Sequence, residues 1–211
     1  MSALRRVARL ALARLVVATI AGATIVLAMP ERLPAQATAR PPAATTAATA
    51  TATPADSARR ARIVRVARDI IRSARFAALI TQDAATGSSV RTIDPAPPDS
   101  AMVIRFVTNP KSRKVREMAR DGRVTLYYFD AKAMRYATVH GTAREVRDAG
   151  RKAALWYAEW TPFYPQRERG AALYEVVPRR LEVVSEADSV VGDPVTWEVP
   201  AIRFPARGAV R

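Results

Sequence analysis

The 211-residue chain contains no cysteine, which excludes disulfides, thiolate catalysis and thioether-linked lipid anchors. Its only histidine is His140, so zinc or haem sites built from several imidazoles are excluded too. His140 stands in the strand-like run "YATVHGTA", where a structural role is the simpler reading, because a catalytic imidazole needs convergent partners. Glycine is sparse, at 8 residues, and no Gly-rich nucleotide loop is present. Lysine is also scarce. Only positions 111, 114, 132 and 152 carry it, so nearly all of the 34 basic side chains are arginine.

The 34 bases against 19 acids give a formal net charge of +15. The excess is spread along the chain and not gathered in one block. A basic surface of this kind suits nucleic acid or anionic lipid. An ordinary solvated surface accounts for it as well, and no specific nucleic-acid partner is expected. Apolar residues, at 49%, suffice for a core.

The first residues read as an address. "MSALRRVARLALAR" has four arginines and no acid, Leu15 to Met29 is uncharged, and Ala35-Gln36-Ala37 fits a small-x-small cleavage rule. Residues 1–37 are therefore expected to be a signal peptide cut after Ala37. This implies export to the periplasm or the extracellular space. The rival reading is an uncleaved anchor that holds the protein near a membrane, although the apolar stretch is short for a full span of about 20 residues. Arg5-Arg6 matches the twin-arginine export signal only loosely. Residues 38–56, rich in Ala, Thr and Pro, have no large apolar side chain and read as a disordered linker. The folded domain is expected over 57–205, with 206–211 as a tail.

Within that domain, Ile63, Val66, Ile70 and Ile71 form one stripe of an amphipathic basic helix, with Asp56 or Ser57 as its N-cap. Strands are expected at 76–83, 90–94, 102–108, 124–130 and 135–146, with one or two more over 171–187 where Pro178 intervenes. A turn is expected at 86–89. Helices are expected at 112–122, closed by Gly122, and at 148–160, capped by Asp148. Many short strands with a few helices between them predict a barrel or sandwich of mainly β character.

One stretch concentrates chemistry. In "FVTNPKSRK" an apolar run stops at Asn109-Pro110 and gives way to Lys111, Ser112, Arg113 and Lys114. Ser112 occupies an N-cap position, and the first-turn amides of the following helix are unpaired and carry partial positive charge. Backbone donors, a hydroxyl, a guanidinium and an ammonium together suit a phosphate. Arg91 would reach the same point if strands 90–94 and 102–108 formed a hairpin. Serine caps with basic first turns also occur on ordinary surface helices, so the pattern alone leaves both readings open.

From about residue 68 to 187 the chain resembles the pyridoxamine 5'-phosphate oxidase-like family of FMN-binding split barrels, and its general stress protein-like branch in particular. The resemblance rests on "FAALIT", an arginine in "VRTID", the block "FVTNPKSRKVREMARDGRVTLYYFD", then "YATVHGTAREVRD" and "LWYAEWTPFYP", in that order. It implies a six-stranded antiparallel split β-barrel with helices, an α+β fold of FMN-binding type. It also implies a homodimer with each FMN between two subunits. Arg91 would contact the FMN phosphate, and Thr92 and Ile93 would line the flavin through their backbone. Val107 and Thr108 would meet the ring edge or ribityl chain, and Ser112, Arg113 and Lys114 would hold the phosphate. Tyr136 falls where the oxidases place a flavin-contacting glutamine. Trp156 and Trp160 would face the flavin or the dimer interface, or serve as core anchors.

The departures are informative. The Arg-, Trp- and His-rich C-terminal segment of the vitamin B6 oxidases is replaced by "LEVVSEADSVVGDPVTWEVP", and the lysine ending their first flavin motif is missing from "VRTIDPAP". That specific activity is therefore set aside and the cofactor kept. The expected function is an exported flavin-dependent oxidoreductase acting on an unidentified small molecule. The alternatives are a non-catalytic flavin- or ligand-binding module of the same fold, or a basic nucleic-acid or envelope-surface binder. Nothing in the residues separates FMN from a deazaflavin.

Overall fold

The computed structural model describes residues 53–205, apart from 84 and 86. The expected signal peptide, most of the linker and the tail lie outside the described residues.

The first helix, α1 (Pro54–Ala74), starts earlier than expected. Its N-cap is Thr53, and neither Asp56 nor Ser57 takes that place. The Thr53 hydroxyl accepts from the Asp56 amide at 3.1 Å, and the Asp56 carboxylate accepts from the Thr53 amide at 3.3 Å. This reciprocal capping box, with Pro54 pre-set for the first turn, draws the end of the linker into the helix. The expected stripe is buried as Ile63, Val66, Ile70 and Ile71, joined by Ala67. It packs on the inner faces of three strands, β4 (Arg123–Asp130), β5 (Arg135–Glu145) and β6 (Ala172–Val184).

The remaining strands are β1 (Ala77–Asp83), β2 (Gly87–Ile93), β3 (Ile104–Thr108) and β7 (Ala201–Arg203). All pairings are antiparallel, in the order β2-β1-β4-β5-β6-β3, with β7 added to β6. The six expected strands are the main path of this split barrel, and β7 makes a seventh. Strand β2 opens at Gly87, inside the expected turn. The expected hairpin between β2 and β3 does not form. β2 pairs with β1, from Ala77↔Ile93 to Asp83↔Gly87, whereas β3 pairs with β6. The prolines at 95, 97 and 98 lack amide donors and break any ladder leaving β2. One backbone bond, Ala96 N to Arg105 O at 2.8 Å, ties this segment to β3.

Strand β6 runs unbroken through Pro178. The register against β5 slips there, from His140↔Arg180 to Gly141↔Pro178, so Arg179 is the extra residue of a bulge. Gly141 permits the close approach: a Cβ there would stand 2.6 Å from Val177 O. Gly122 likewise serves contact and not a left-handed helix end. The cap of α2 (Arg113–Arg120) is Asp121 in extended conformation, while Gly122 O accepts from Ala143 N at 2.7 Å.

The single helix expected over 148–160 is two pieces. The first is α3 (Ala149–Ala154), capped by the Asp148 carboxylate as expected, and the second is a 3-10 turn at Ala158–Trp160. Between them Tyr157 is extended. Trp156, Tyr157, Trp160 and Tyr164 pack with Val107, Val146 and Leu173 as a second apolar cluster, and that burial overrides helical continuity. A short α4 (Arg167–Gly170) follows.

Tyr128 on β4 is fully buried, and its hydroxyl has no hydrogen-bond partner. Burial pushes its ionisation far above the usual phenol range. An orphaned buried hydroxyl is destabilising, so Tyr128→Phe is expected to raise the free energy of unfolding by about 1 kcal/mol. Urea denaturation checks this. An unchanged or lowered midpoint at constant slope would mean that the hydroxyl is satisfied in solution.

Candidate functional site

The expected cradle forms around a residue that sequence reasoning passed over. Glu117, on α2, is 1% exposed. One of its oxygens, Oε2, accepts from Thr81 Oγ1 at 2.6 Å and from Arg91 Nη2 at 2.6 Å. Arg113 Nε lies 3.1 Å from the other oxygen, Oε1, as an ion pair whose angle does not make a hydrogen bond. Arg91 also donates through Nη1 to Thr81 Oγ1 and to Ser89 O. Alternation along β2 turns Ser89, Arg91 and Ile93 inward, and this is what aims the guanidinium at α2.

The rest of the cradle lies at the start of α2. Ser112 is the N-cap, as expected, but its hydroxyl makes no capping bond. It lies 3.5 Å from Thr108 Oγ1, which accepts from Lys114 Nζ at 2.8 Å. Thr108 is buried, Lys114 is half-buried, and Arg113 is the most exposed of the group. Among the described residues, no carboxylate lies within ion-pair distance of Lys114.

Electrostatics divide these groups. Burial acts to raise the Glu117 pKa. Hydrogen bonds from Thr81, Arg91 and Ser89 together with the charge of Arg91 outweigh it, so the carboxyl is held below its ordinary 4.5. Lys114 is depressed below its ordinary 10.5 by burial and by the neighbouring Arg91 charge, and Glu117 offsets this only in part. Arg91 and Arg113 are therefore committed to an internal anion, whereas Lys114 is a partly desolvated cation held by a hydroxyl.

The structure thus brings together Arg91, Thr108, Ser112, Arg113 and Lys114, by way of Glu117 and not by a β2–β3 hairpin. Val107 points to the opposite face of β3 and joins Trp156 in the second cluster. Trp156 Nε1 donates to Thr161 Oγ1 at 3.1 Å, and the Arg167 guanidinium lies 5.6 Å above its ring. Trp160 is buried against the Asp94 carbonyl. Ile93 is in the core and Thr92 is exposed. Tyr136 lies elsewhere, on the outer face of the sheet, with its ring 5.6 Å from that of Tyr127. Its partner Phe129 is on the order of 17 Å along β4 from Val124, which faces Thr81.

His140 is a half-exposed strand residue. Its Nδ1 is 3.0 Å from Thr125 Oγ1, and its Nε2 is 3.6 Å from Glu182. Clefts beside Arg68 and Tyr157, beside Arg105 and Arg144, and beside His140 are lined by none of Arg91, Ser112 and Lys114. Among the described residues, no group of three or more His, Cys, Asp or Glu is placed to hold a metal, and no helix is long and apolar enough to cross a membrane.

A sequence signal for Glu117 existed. It is the only acid of "KSRKVREMAR" and falls four residues after Arg113, the spacing of a helical ion pair. What sequence could not supply was the approach of β1 and β2 that buries it.

A family model described as "Pyridoxamine 5'-phosphate oxidase like" matches residues 63–176, more than half of the chain. The chain belongs to that family. Solved structures agree on the fold. One is a protein related to general stress protein 26 of Bacillus subtilis, from Clostridium acetobutylicum. It aligns with a TM-score of 0.55 at 12% identity, over 67% of this chain and 94% of that one. General stress protein 26 from Bacillus anthracis aligns at 0.51 and 16% identity, over 66% and 97%. A heme binding protein from Mycobacterium smegmatis aligns at 0.51 and 14% identity, over 67% and 57%. Identities this low speak for the fold alone. No curated protein matches the chain. Family membership and a shared fold do not by themselves set the ligand, so function has to be argued from the site.

The buried ion pair makes the site sensitive to acid. A carboxyl whose folded pKa is lowered contributes stability that is complete above its unfolded value and is lost as pH falls through the folded one. Glu117→Gln is therefore expected to cost about 3 kcal/mol at neutral pH. The difference from the parent protein should shrink steadily below the usual carboxylate range. Denaturation curves over a pH series check this, and a cost independent of pH would contradict the assignment.

Proposed function

We propose that the cradle holds the phosphate of FMN and that the protein is a flavin-dependent oxidoreductase working as a homodimer. The observation that carries this reading is Lys114, a half-buried ammonium with a hydroxyl partner and, among the described residues, no carboxylate at ion-pair distance, beside the Arg91 cation. A dianion there would relieve the charge repulsion and accept from Lys114, from the Ser112 hydroxyl, which makes no capping bond, and from the first-turn amides of α2. Arg91 acts from behind. Its bonds to Glu117 and Thr81 fix α2 against β1 and β2, and its charge adds to the positive potential at Lys114.

When bound, FMN supplies the hydride or electron transfer. This chain's residues bind, orient and exclude water. Thr108 holds the ammonium in place, and the aromatic cluster around Val107 and Trp156 offers an apolar wall on the other side of β3. In this proposal the cradle would hold the phosphate, and a second copy of the chain would help to enclose the ring. Deazaflavin phosphates present the same anion. The absence of paired acid–base residues in the sequence is no obstacle, because the cofactor carries the redox step.

Flavin titration of the purified protein tests the reading. A charge-assisted bond is worth on the order of 2 kcal/mol, so Lys114→Met is expected to weaken FMN binding about 30-fold. Binding of riboflavin, which lacks the phosphate, should be nearly unaffected. Equal losses for both ligands, or no flavin binding by the parent protein, would overturn the assignment. Oxidation of a reduced nicotinamide by the FMN-loaded protein, and its absence, separates an oxidoreductase from a binding module.

A further inference from the structure

Helices α1 and α2 pack on the inner side of the sheet. α1 buries its stripe against inward residues of β4, β5 and β6, and Glu117 of α2 meets the inward Thr81 of β1. Alternation along β1, β2, β4 and β5 turns a different set of side chains to the outer side. There Ile80 stands opposite Val90, Phe129 opposite Tyr136, and Tyr136 opposite Val184. Tyr127 of β4 lies between the two groups, with its ring 5.6 Å from that of Tyr136. Val90 is 61% exposed and Phe129 is 43% exposed, while the other four are half-buried. Together they make an apolar and aromatic band across five strands, from β2 to β6.

The band carries no charge. His140, Arg180 and Arg123 stand at its rim beside carboxylates: Glu182 lies 3.6 Å from the first and 2.7 Å from the second, and Asp121 lies 2.6 Å from the third. Such a face stands out in a chain with 34 bases and a net charge of +15. Nucleic acid, anionic lipid and acidic proteins are captured by free cations, which this band lacks. It matches another neutral apolar face, and a second copy of the chain brings one. The size is sufficient as well. Five strands about 4.8 Å apart and seven residues at about 3.3 Å each span about 24 by 23 Å, or about 550 Å² per copy. A pair would bury about 1,100 Å², above the roughly 1,000 Å² expected of a specific interface.

We infer that two copies of the chain join through this outer face, with Ile80, Tyr127 and Tyr136 at the centre of the contact and the paired charges at its rim. Tyrosine-rich centres with polar rims are the usual anatomy of such contacts, and a two-fold axis lets one face serve both copies. The inference rests on the homodimer of the proposed function and assigns the surface that forms it. Strand β2 ties that surface to the cradle: Arg91 faces α2, while Val90 and Thr92 on either side of it face outward.

Sedimentation of the full chain over a concentration series, with and without FMN, tests this. A dimer is expected. Val90→Arg together with Phe129→Arg should raise its dissociation constant on the order of 100-fold, because symmetry places each new cation in the contact twice. Phe163→Ser removes a still more exposed ring outside the sheet and should leave the constant unchanged. Added salt should tighten the parent dimer, since screening acts on the repulsion between two cationic bodies. Circular dichroism of each variant confirms that it is folded. A dimer that persists in the double variant, or one that salt dissolves, would overturn the assigned face and leave the homodimer standing. A parent chain that stays monomeric throughout would overturn both, and would give the face to an unlike protein or to the chain's own N-terminal segment. The cradle is judged separately, by the FMN and riboflavin titrations.

Discussion

Glu117 is a carboxylate taken out of water, and the geometry of the candidate site depends on what surrounds it. A buried charge without partners would be costly, and its burial here is tolerable because Arg91 and Thr81 hydrogen-bond one oxygen while Arg113 stands against the other. Those contacts fasten α2 to β1 and β2, strands that reach it from distant parts of the sequence. They also decide which cations remain. Arg91 of β2 and Arg113 of α2 pair with the internal acid, and Lys114, next to Arg113 on the helix, is left with a threonine hydroxyl. The site's capacity for an external anion follows from this uneven division and not from the sum of its positive charges.

The sheet explains how such a site is reached. β6 is the longest strand, lined on one side by β5 and on the other by β3 and then β7. Its bulge at Arg179 lets the strand change partners without ending at Pro178, and Gly141 gives the room. β2 and β3 are the two ends of the strand order, and α2 follows directly from β3. The cradle therefore occupies the split of the barrel, where edge strands leave inward-facing polar groups that a closed sheet would have covered.

Much of this was legible in the sequence, for physical reasons that can be named. The stripe Ile63, Val66, Ile70 and Ile71 has helical period and was buried as read. Ser112 was recognisable as a cap position because a strand stops at Asn109-Pro110. The errors arose where long-range contact outweighs local preference. The run 148–160 has helical composition, yet the aromatic cluster over Val107 breaks it at Trp156 and Tyr157. The partner of β2 was misassigned because strand pairing is not local. β7 is three residues long and carries almost no pattern. Glu117 was passed over, because its spacing from Arg113 is that of any helical ion pair and only its burial gives it weight.

The most direct test of the central claim is the titration of Lys114, followed by NMR of its side chain with and without inorganic phosphate. The account expects a midpoint below the ordinary lysine value of 10.5, moving upward when phosphate is added, with Glu117 still ionised throughout. An ordinary midpoint that phosphate leaves unmoved would contradict it, because Lys114 would then be a solvated surface charge and the cradle would have no vacancy for an anion.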